Sequence, residues 1–126
     1  MRIAVVGAST DRRKYGNKAV RALLAQGHDV AAVNPGRAAA GESIEGVPAH
    51  ASLRDVPGTI DIATFYVPPA VGELLLDDVV AREIRQIWLN PGAESDALMA
   101  RARELGLETR LQCSILAVGD SPANYN

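Results

Sequence analysis

Short apolar segments alternate with amphipathic segments along the whole chain, and this alternation constrains the fold more than any other feature. A continuous apolar run between turn-forming residues is typical of a strand buried on both faces. Residues 3–6 form such a run, and further strand-like segments occupy residues 29–33, 61–67, 85–89 and 107–111. We therefore expect about five strands, each followed by a turn.

The amphipathic segments have helical spacing and end where helices commonly end. They cover residues 17–26, 69–83 and 96–105. Repeated strand–helix units give right-handed crossovers and a parallel sheet covered on both faces. We predict an α/β, Rossmann-like, doubly wound sheet of about five parallel strands in a three-layer αβα arrangement, with residues 1–126 forming one domain. Residues 36–59 are less regular, with a short strand near 44–47 and a helical turn at Ser52, and residues 112–126 carry no clear pattern.

Composition limits the cellular locations expected for the chain. No apolar run approaches the roughly 20 residues needed to span a bilayer, so no membrane partner is expected. Met1 and Arg2 lead directly into the first strand, so no signal peptide is expected. The single cysteine, Cys113, cannot form an internal disulfide. A reducing, cytoplasmic location is the simplest interpretation.

Charge is unevenly distributed along the chain. The net charge is −2, yet residues 1–37 hold seven basic and only two acidic side chains. A basic first third in an acidic protein favours a local anionic ligand over a broad nucleic-acid surface. Binding to nucleic acid is therefore not expected.

The loop after the first strand has the composition of a phosphate-binding loop. Glycine allows close approach of the backbone, and the amides at the start of the next helix attract anions. Hydroxyls and cations add further donors. The residues that combine these properties are Gly7, Ala8, Ser9, Thr10, Arg12, Arg13 and Lys14. We predict that this loop holds phosphate groups.

The second strand end indicates which nucleotide the loop accepts. A G-x-G-x-x-G fingerprint starting at Gly7 would need glycine where the chain has Ser9 and Arg12. No carboxylate follows the second strand to bind a free ribose 2′-hydroxyl; Asn34 and Pro35 stand there, and Arg37 follows. NAD is therefore disfavoured. NADP and coenzyme A, which carry a ribose phosphate, both remain open.

Four motifs at successive strand ends resemble a known family. They are Val5-Val6-Gly7-Ala8-Ser9, Val33-Asn34-Pro35-Gly36-Arg37, Val67-Pro68-Pro69 and Asn90-Pro91-Gly92-Ala93-Glu94. Together they resemble the small stand-alone coenzyme A-binding proteins, which are similar to the nucleotide-binding domain of the succinyl-CoA synthetase alpha subunit. The resemblance covers residues 3 to about 118 and does not include the ligase's second domain with its phosphorylated histidine. Ligase catalysis is therefore not implied.

The resemblance implies a role for each matching residue. Gly7, Ala8 and Ser9 would hold the pyrophosphate. Asn34, Pro35 and Arg37 would line the adenosine side, with Arg37 near the ribose phosphate. Val67 and Pro68 would border the adenine, and Glu94 would close the pocket. The first loop departs from the ligase pattern because it is more basic and poorer in glycine.

The resulting hypothesis is a protein that binds coenzyme A or an acyl-CoA, as a non-catalytic sensor or carrier. An NADP-dependent oxidoreductase is one alternative, and a partner-binding protein with a vestigial nucleotide site is another. The sequence contains no nucleophile–base motif and no metal-ligand spacing, so no catalytic or metal residue is predicted. The edges of the predicted sheet leave a homodimer or a protein partner open.

Overall fold

A computed structural model describes residues 1–126 of the chain. Strands and helices alternate, and each predicted strand is present. The strands are β1 (Arg2–Val6), β2 (Asp29–Val33), β3 (Ser43–Ile44), β4 (Val47–His50), β5 (Ile62–Phe65), β6 (Gln86–Leu89) and β7 (Glu108–Leu111). The helices are α1 (Tyr15–Ala25), α2 (Pro35–Ala39), α3 (Pro69–Ala81), α4 (Asp96–Glu104) and α5 (Ser114–Ala117), with 3₁₀ turns at Leu53–Asp55 and Pro122–Tyr125.

The strands form one sheet in the order β3-β4-β2-β1-β5-β6-β7. All neighbouring strands are parallel except β3, which pairs antiparallel with β4. Strands β2, β3 and β4 lie on one side of β1, and the chain then crosses back to place β5, β6 and β7 on the other side. The strand order therefore reverses between β1 and β5. This arrangement confirms the predicted Rossmann-like architecture.

The sheet has seven strands rather than about five because residues 43–50 form a hairpin. Glu45 and Gly46 have φ angles of 49° and 81°. Two consecutive residues with positive φ make the tight turn that joins two antiparallel strands. The short strand predicted near residues 44–47 therefore spans a turn between two strands.

Helices cover both faces of the sheet and bury it completely at its centre. Phe65 of β5 and Ile87 of β6 pack with Leu76 of α3 on one face. Ile3 and Val5 of β1 pack with α1 on the other face. Burial on both faces explains why these strands are mostly apolar. None of the helices is long and apolar enough to cross a membrane.

The C-terminal segment, which the sequence left unassigned, is tied to the ends of the central strands. The backbone N–H of Ser114 donates to Oδ1 of Asn90 over 2.8 Å, and the Asn90 amide donates to Oγ1 of Thr64 and to the carbonyl of Phe65. The Ser114 hydroxyl lies 2.6 Å from the hydroxyl of Tyr66. Asn90, Thr64 and Ser114 are all buried. These hydrogen bonds hold α5 against the carboxyl edge of the sheet.

Candidate functional site

A cavity of about 440 Å³ opens at the carboxyl ends of β1, β2 and β5, where the strand order reverses. Ligands of open α/β sheets bind at this position. Its volume falls in the range of roughly 300–1,000 Å³ that is typical of small-molecule sites. The cavity is lined by Val6, Gly7, Ala8, Ser9, Lys14, Tyr15, Gly16, Val33, Asn34, Pro35, Ala51, Ser52, Leu53, Tyr66, Val67, Val71, Leu75 and Asp78.

The loop between β1 and α1 requires glycine at two positions. Gly7 has a φ of 92°, and a Cβ added there would lie 2.7 Å from the carbonyl oxygen of Tyr66. A Cβ added at Gly16 would collide with the carbonyl oxygen of Gly7. Only glycine allows this backbone approach. The first turn of α1 therefore lies directly against the end of β1, beside the cavity.

Two asparagine side chains fix the shape of this loop. The amide of Asn34 donates to the carbonyl of Ala8 over 2.8 Å, and its Oδ1 accepts from the N–H of Arg37, which caps α2. The amide of Asn17 donates to the carbonyl of Ser9 over 2.9 Å. Because these two carbonyls are fixed by hydrogen bonds from within the protein, the loop has a defined shape without a ligand.

The electrostatic character of the cavity comes from α1 and from one side chain. The first amides of an α-helix have no acceptor within the helix and carry a partial positive charge. The first turn of α1 contains no acidic residue, and Lys14 precedes it without a side-chain capping bond. Lys14 is the only cationic side chain that lines the cavity. This end of the cavity is therefore suited to an anion.

One part of the cavity wall is largely apolar. Val67 follows β5, while Val71 and Leu75 project from the first half of α3. Leu53, from the 3₁₀ turn after β4, completes this wall and is buried. An apolar wall that shares a cavity with an anion-attracting loop fits a ligand that combines a ring system with phosphate groups.

Tyr66 forms part of the cavity lining, and its hydroxyl is engaged in the interior. Burial raises the pKa of Tyr66 well above its ordinary value, with the hydrogen bond to Ser114 acting in the opposite direction. The phenol therefore stays protonated at neutral pH. Asp78, the only carboxylate among the lining residues, is paired with Arg54.

The structure brings together part of the predicted site. Gly7, Ala8, Ser9, Lys14, Asn34, Pro35 and Val67 line the cavity. Pro68 lies in a neighbouring hollow of about 340 Å³ between the loops that follow β5 and β6. Thr10, Arg12, Arg13, Arg37 and Glu94 lie outside the lining of both.

Four of the residues outside both cavities are engaged in contacts elsewhere, three in ion pairs and one in a turn. Arg12 pairs with Glu45 at 3.6 Å, and Arg13 pairs with Asp11 at 3.1 Å. Hydrogen bonds from Arg13 hold the pKa of Asp11 below its ordinary value. Arg37 of α2 pairs with Glu42 at 3.2 Å. The carboxylate of Glu94 accepts from the N–H of Gly92 over 3.0 Å within the turn after β6.

Several lining residues were not predicted from the sequence. Gly16 carried a signal, because a glycine in the first turn of a helix indicates close packing. Tyr15 precedes it and carried no comparable signal. Val71 and Leu75 lie in the amphipathic segment 69–83, where the same helical spacing is typical of core positions, and only the structure shows that they line the cavity.

Comparisons with known proteins agree on one family. Residues 1–119 match the sequence profile of the CoA binding domain. A stretch of 67 residues is 39% identical to the Pyrococcus furiosus acetate–CoA ligase (ADP-forming) II subunit alpha. That stretch covers 52% of this chain but only 14% of the relative, so the chain matches about a seventh of that relative's length.

Solved structures with the same fold include proteins of similar size and larger enzymes. A conserved hypothetical protein from Pyrococcus furiosus is 35% identical, with a TM-score of 0.78 over 86% of this chain and 90% of that chain. A Thermus thermophilus protein is 31% identical, with a TM-score of 0.82 over 93% and 85%. The dinucleotide-forming acetyl-coenzyme A synthetase 1 of Ca. Korarchaeum cryptofilum, in complex with phosphate and ADP, is 27% identical, with a TM-score of 0.74 over 89% and 25%.

The sheet topology and the cavity at the reversal of strand order define an α/β protein of Rossmann type. Because the profile match extends over residues 1–119, the assignment can be made more specific. The chain belongs to the CoA binding domain family, and it is related to the alpha subunit of an ADP-forming CoA ligase. The predicted resemblance is thereby confirmed.

Proposed function

We propose that this chain binds coenzyme A or an acyl-CoA in the cavity between β1, β2 and β5, and that it acts as a sensor or carrier rather than as a catalyst. The observation that carries the proposal is that the β1–α1 loop, with the backbone amides at the start of α1, lines a cavity whose other lining residues are largely apolar. The sole cysteine is consistent with action in a reducing, cytoplasmic environment.

The phosphate end of the ligand is assigned to the β1–α1 loop. Gly7 and Gly16 bring the backbone close to the cavity, and the start of α1 supplies unpaired amides. Lys14 adds a mobile positive charge at the same place. The helix dipole and one ammonium group would offset most of the negative charge of a pyrophosphate placed here.

The adenine end is assigned to the apolar wall. Val67 and Val71 present branched side chains to the cavity, and Leu53 closes its far side. A purine ring packed between such side chains loses contact with water on both faces. Pro35, at the end of β2, would border the ribose.

A binding role without catalysis agrees with the chemistry of the lining residues. Tyr66 is held protonated, and its hydroxyl is directed to Ser114. Asp78 is occupied by Arg54. Neither group is free to accept a proton from a bound ligand, and a general base must be able to do so.

The named relative also suggests a protein partner. It is called a subunit alpha, and this chain corresponds to a small part of it. Assembly with a second protein is therefore a proposal that accompanies ligand binding.

Thermal unfolding in the presence of a ligand panel tests the proposal. The panel contains coenzyme A, 3′-dephospho-coenzyme A, NADP and NAD, and the protein is first checked by mass spectrometry for ligand retained through purification. A ligand at 100 times its Kd adds about 2.7 kcal/mol to the free energy of unfolding. For a chain of this size that raises the melting temperature by several degrees. We expect the largest shift with coenzyme A.

Two results would contradict the proposal. A larger shift with NADP than with coenzyme A would favour the oxidoreductase alternative, which NADPH absorbance with carbonyl compounds then examines. No shift with any ligand, in protein shown to be ligand-free, would favour a partner-binding protein with a vestigial site.

A further inference from the structure

The outer edge of β7 has hydrogen-bonding groups without a strand partner. β7 pairs only with β6, on one side. The N–H of Glu108 donates to Arg85, and the N–H of Gln112 donates to Leu89. Because alternate residues of a parallel strand point to the same neighbour, the N–H and C=O groups of Thr109 and Leu111 point away from the sheet. An edge of this kind is a template for another strand.

The sequence of this edge is complementary to itself when it is reversed. Residues 107–111 read Leu-Glu-Thr-Arg-Leu. In an antiparallel pair of two copies centred on Thr109, that threonine meets its own counterpart. Glu108 of each copy then meets Arg110 of the other, and Leu107 meets Leu111. Threonine pairs, opposite charges and apolar pairs are the favourable cross-strand combinations.

The hydrogen-bonding pattern agrees with this register. Thr109 presents both its N–H and its C=O outward, so two copies exchange both bonds across the axis. The Leu111 N–H reaches the Leu107 carbonyl of the second copy, and the symmetry repeats this bond. Glu108 and Arg110 then fall at positions without hydrogen bonds, where opposed side chains approach most closely.

The side chains at this edge are available for such a pair. Leu111 is 58% exposed although it belongs to a strand of the central sheet. Glu108 and Arg110 are about half exposed and pair with each other within their own strand, at 2.8 Å, while Glu108 also accepts a hydrogen bond from the side-chain amide of Gln86 over 2.8 Å. In the dimer, the Glu108–Arg110 pair within each strand is replaced by two such pairs between the copies. The free-energy cost of this replacement is small, because surface ion pairs are weak.

We propose that β7 is a dimerisation edge, at which two copies of this chain pair antiparallel about Thr109 and join their sheets into one continuous sheet. The cavity lies at β1, β2 and β5, two strands away from this edge, so dimerisation leaves it open. The proposal is independent of the ligand. A short edge gives a modest interface, so the dimer should dissociate on dilution.

Sedimentation of the full chain over a range of concentrations tests the proposal. We expect a reversible change from the monomer mass of 13.3 kDa to twice that mass. Thr109→Pro removes the outward N–H and leaves the ladder to β6 intact, since proline is tolerated at a sheet edge. This variant should stay monomeric, whereas the matched control Thr109→Ser should dimerise as the wild type does.

Charge variants test the register. Glu108→Arg places like charges opposite each other twice, and we expect the dimer Kd to rise by roughly tenfold or more. The double variant Glu108→Arg/Arg110→Glu restores both pairs and should recover the dimer. Circular dichroism and melting temperature establish that each variant is folded.

Three results would overturn the proposal. The first is a wild-type chain that remains monomeric at every concentration. The second is a folded Thr109→Pro variant that still forms the dimer, because the interface would then lie elsewhere. The third is a double charge variant no better than the single one, because the strands would then pair in another register or with another protein.

Discussion

The side-chain amide of Asn34 donates a hydrogen bond to the carbonyl of Ala8 over 2.8 Å, while its carbonyl oxygen caps α2. One residue at the end of β2 therefore holds the loop that follows β1. Ala8 is buried, so removal of the amide would leave its carbonyl without this partner. This contact joins neighbouring strand ends and, together with the hydrogen bond from Asn17 to Ser9, fixes the shape of the proposed phosphate loop.

Two substitutions of Asn34 separate these two roles. Asn34→Ala loses the cap and leaves a buried carbonyl unpaired, so the free energy of unfolding should fall by roughly 2–3 kcal/mol. Asn34→Asp keeps the cap but loses the amide donor and adds a negative charge beside the loop. We expect it to be the more stable variant and the weaker binder of coenzyme A. Urea unfolding and calorimetric titration measure the two effects, and an aspartate variant that binds as tightly as the wild type would be inconsistent with this role.

The close approach at Gly7 can be measured against a glycine in open space. Gly27 also has a positive φ, 83°, but an added Cβ there meets nothing within 4 Å. Gly27→Ala should therefore cost only about 1 kcal/mol, for the backbone conformation. Gly7→Ala should cost at least about 2 kcal/mol more, because its Cβ overlaps the backbone of Tyr66. Equal losses in urea unfolding would mean that the backbone is not closely packed at Gly7.

Lys14 should contribute to ligand affinity without contributing to stability. It makes no side-chain capping bond, and it is the only cation that lines the cavity. We expect Lys14→Ala to weaken coenzyme A binding by roughly tenfold and to reduce the salt dependence of binding. Arg13 is 91% exposed and pairs with Asp11, so Arg13→Ala should change the Kd by less than about twofold. Calorimetric titration at two salt concentrations gives both quantities, and a larger effect at Arg13 would contradict the placement of the phosphates.

Arg37 is predicted to recognise the ribose phosphate. Arg37→Ala should weaken coenzyme A by roughly fivefold more than 3′-dephospho-coenzyme A, because only the former carries the additional phosphate. Glu42 competes for the same guanidinium at 3.2 Å, so Glu42→Gln should increase the preference for coenzyme A. Arg103→Ala, at an exposed position on α4, is the matched control. Equal losses for both ligands in the Arg37 variant would remove Arg37 from this role.

Tyr66 should make the protein less stable at high pH. Burial raises the pKa of Tyr66 in the folded state above its value in the unfolded chain. The folded state therefore keeps a proton that the unfolded state releases above pH of about 10. The free energy of unfolding should fall above that pH, by up to about 1.4 kcal/mol per pH unit. Tyr66→Phe should lack this part of the pH dependence in urea unfolding, and an identical decline in both proteins would assign the effect to other groups.

The central strands could be predicted from the sequence because burial on both faces leaves a local pattern. Residues 3–6 are a continuous apolar run, residues 87–89 are likewise apolar, and β1 and β6 lie there. The β3–β4 hairpin has no such pattern: its strands are short, and Pro48 lies within one of them. Its formation depends on the turn at Glu45 and on pairing with β2, and neither is a local property.

The lining residues that follow strands could be predicted from the sequence, whereas the lining residues on helices could not. Ser9 and Asn34 follow strands, so their meeting at one edge of the sheet follows from topology. Val71 and Leu75 have the same periodicity as core residues of α3. The ion pair of Arg12 with Glu45 joins residues far apart in the chain, so the sequence suggested that Arg12 was free to bind a ligand. Charge counts along a loop do not show which cations already have partners.

Amide resonances recorded during a titration with coenzyme A test the proposed binding site most directly. Saturating ligand should shift the ¹⁵N–¹H signals of Gly7, Ala8, Ser9 and Gly16, which line the cavity at the β1–α1 loop. The signals of Arg103 on α4 and Thr109 on β7, which do not line the cavity, should stay in place. Shifts confined to the first group would support a phosphate site at the loop, and the absence of shifts there under saturating ligand would contradict it.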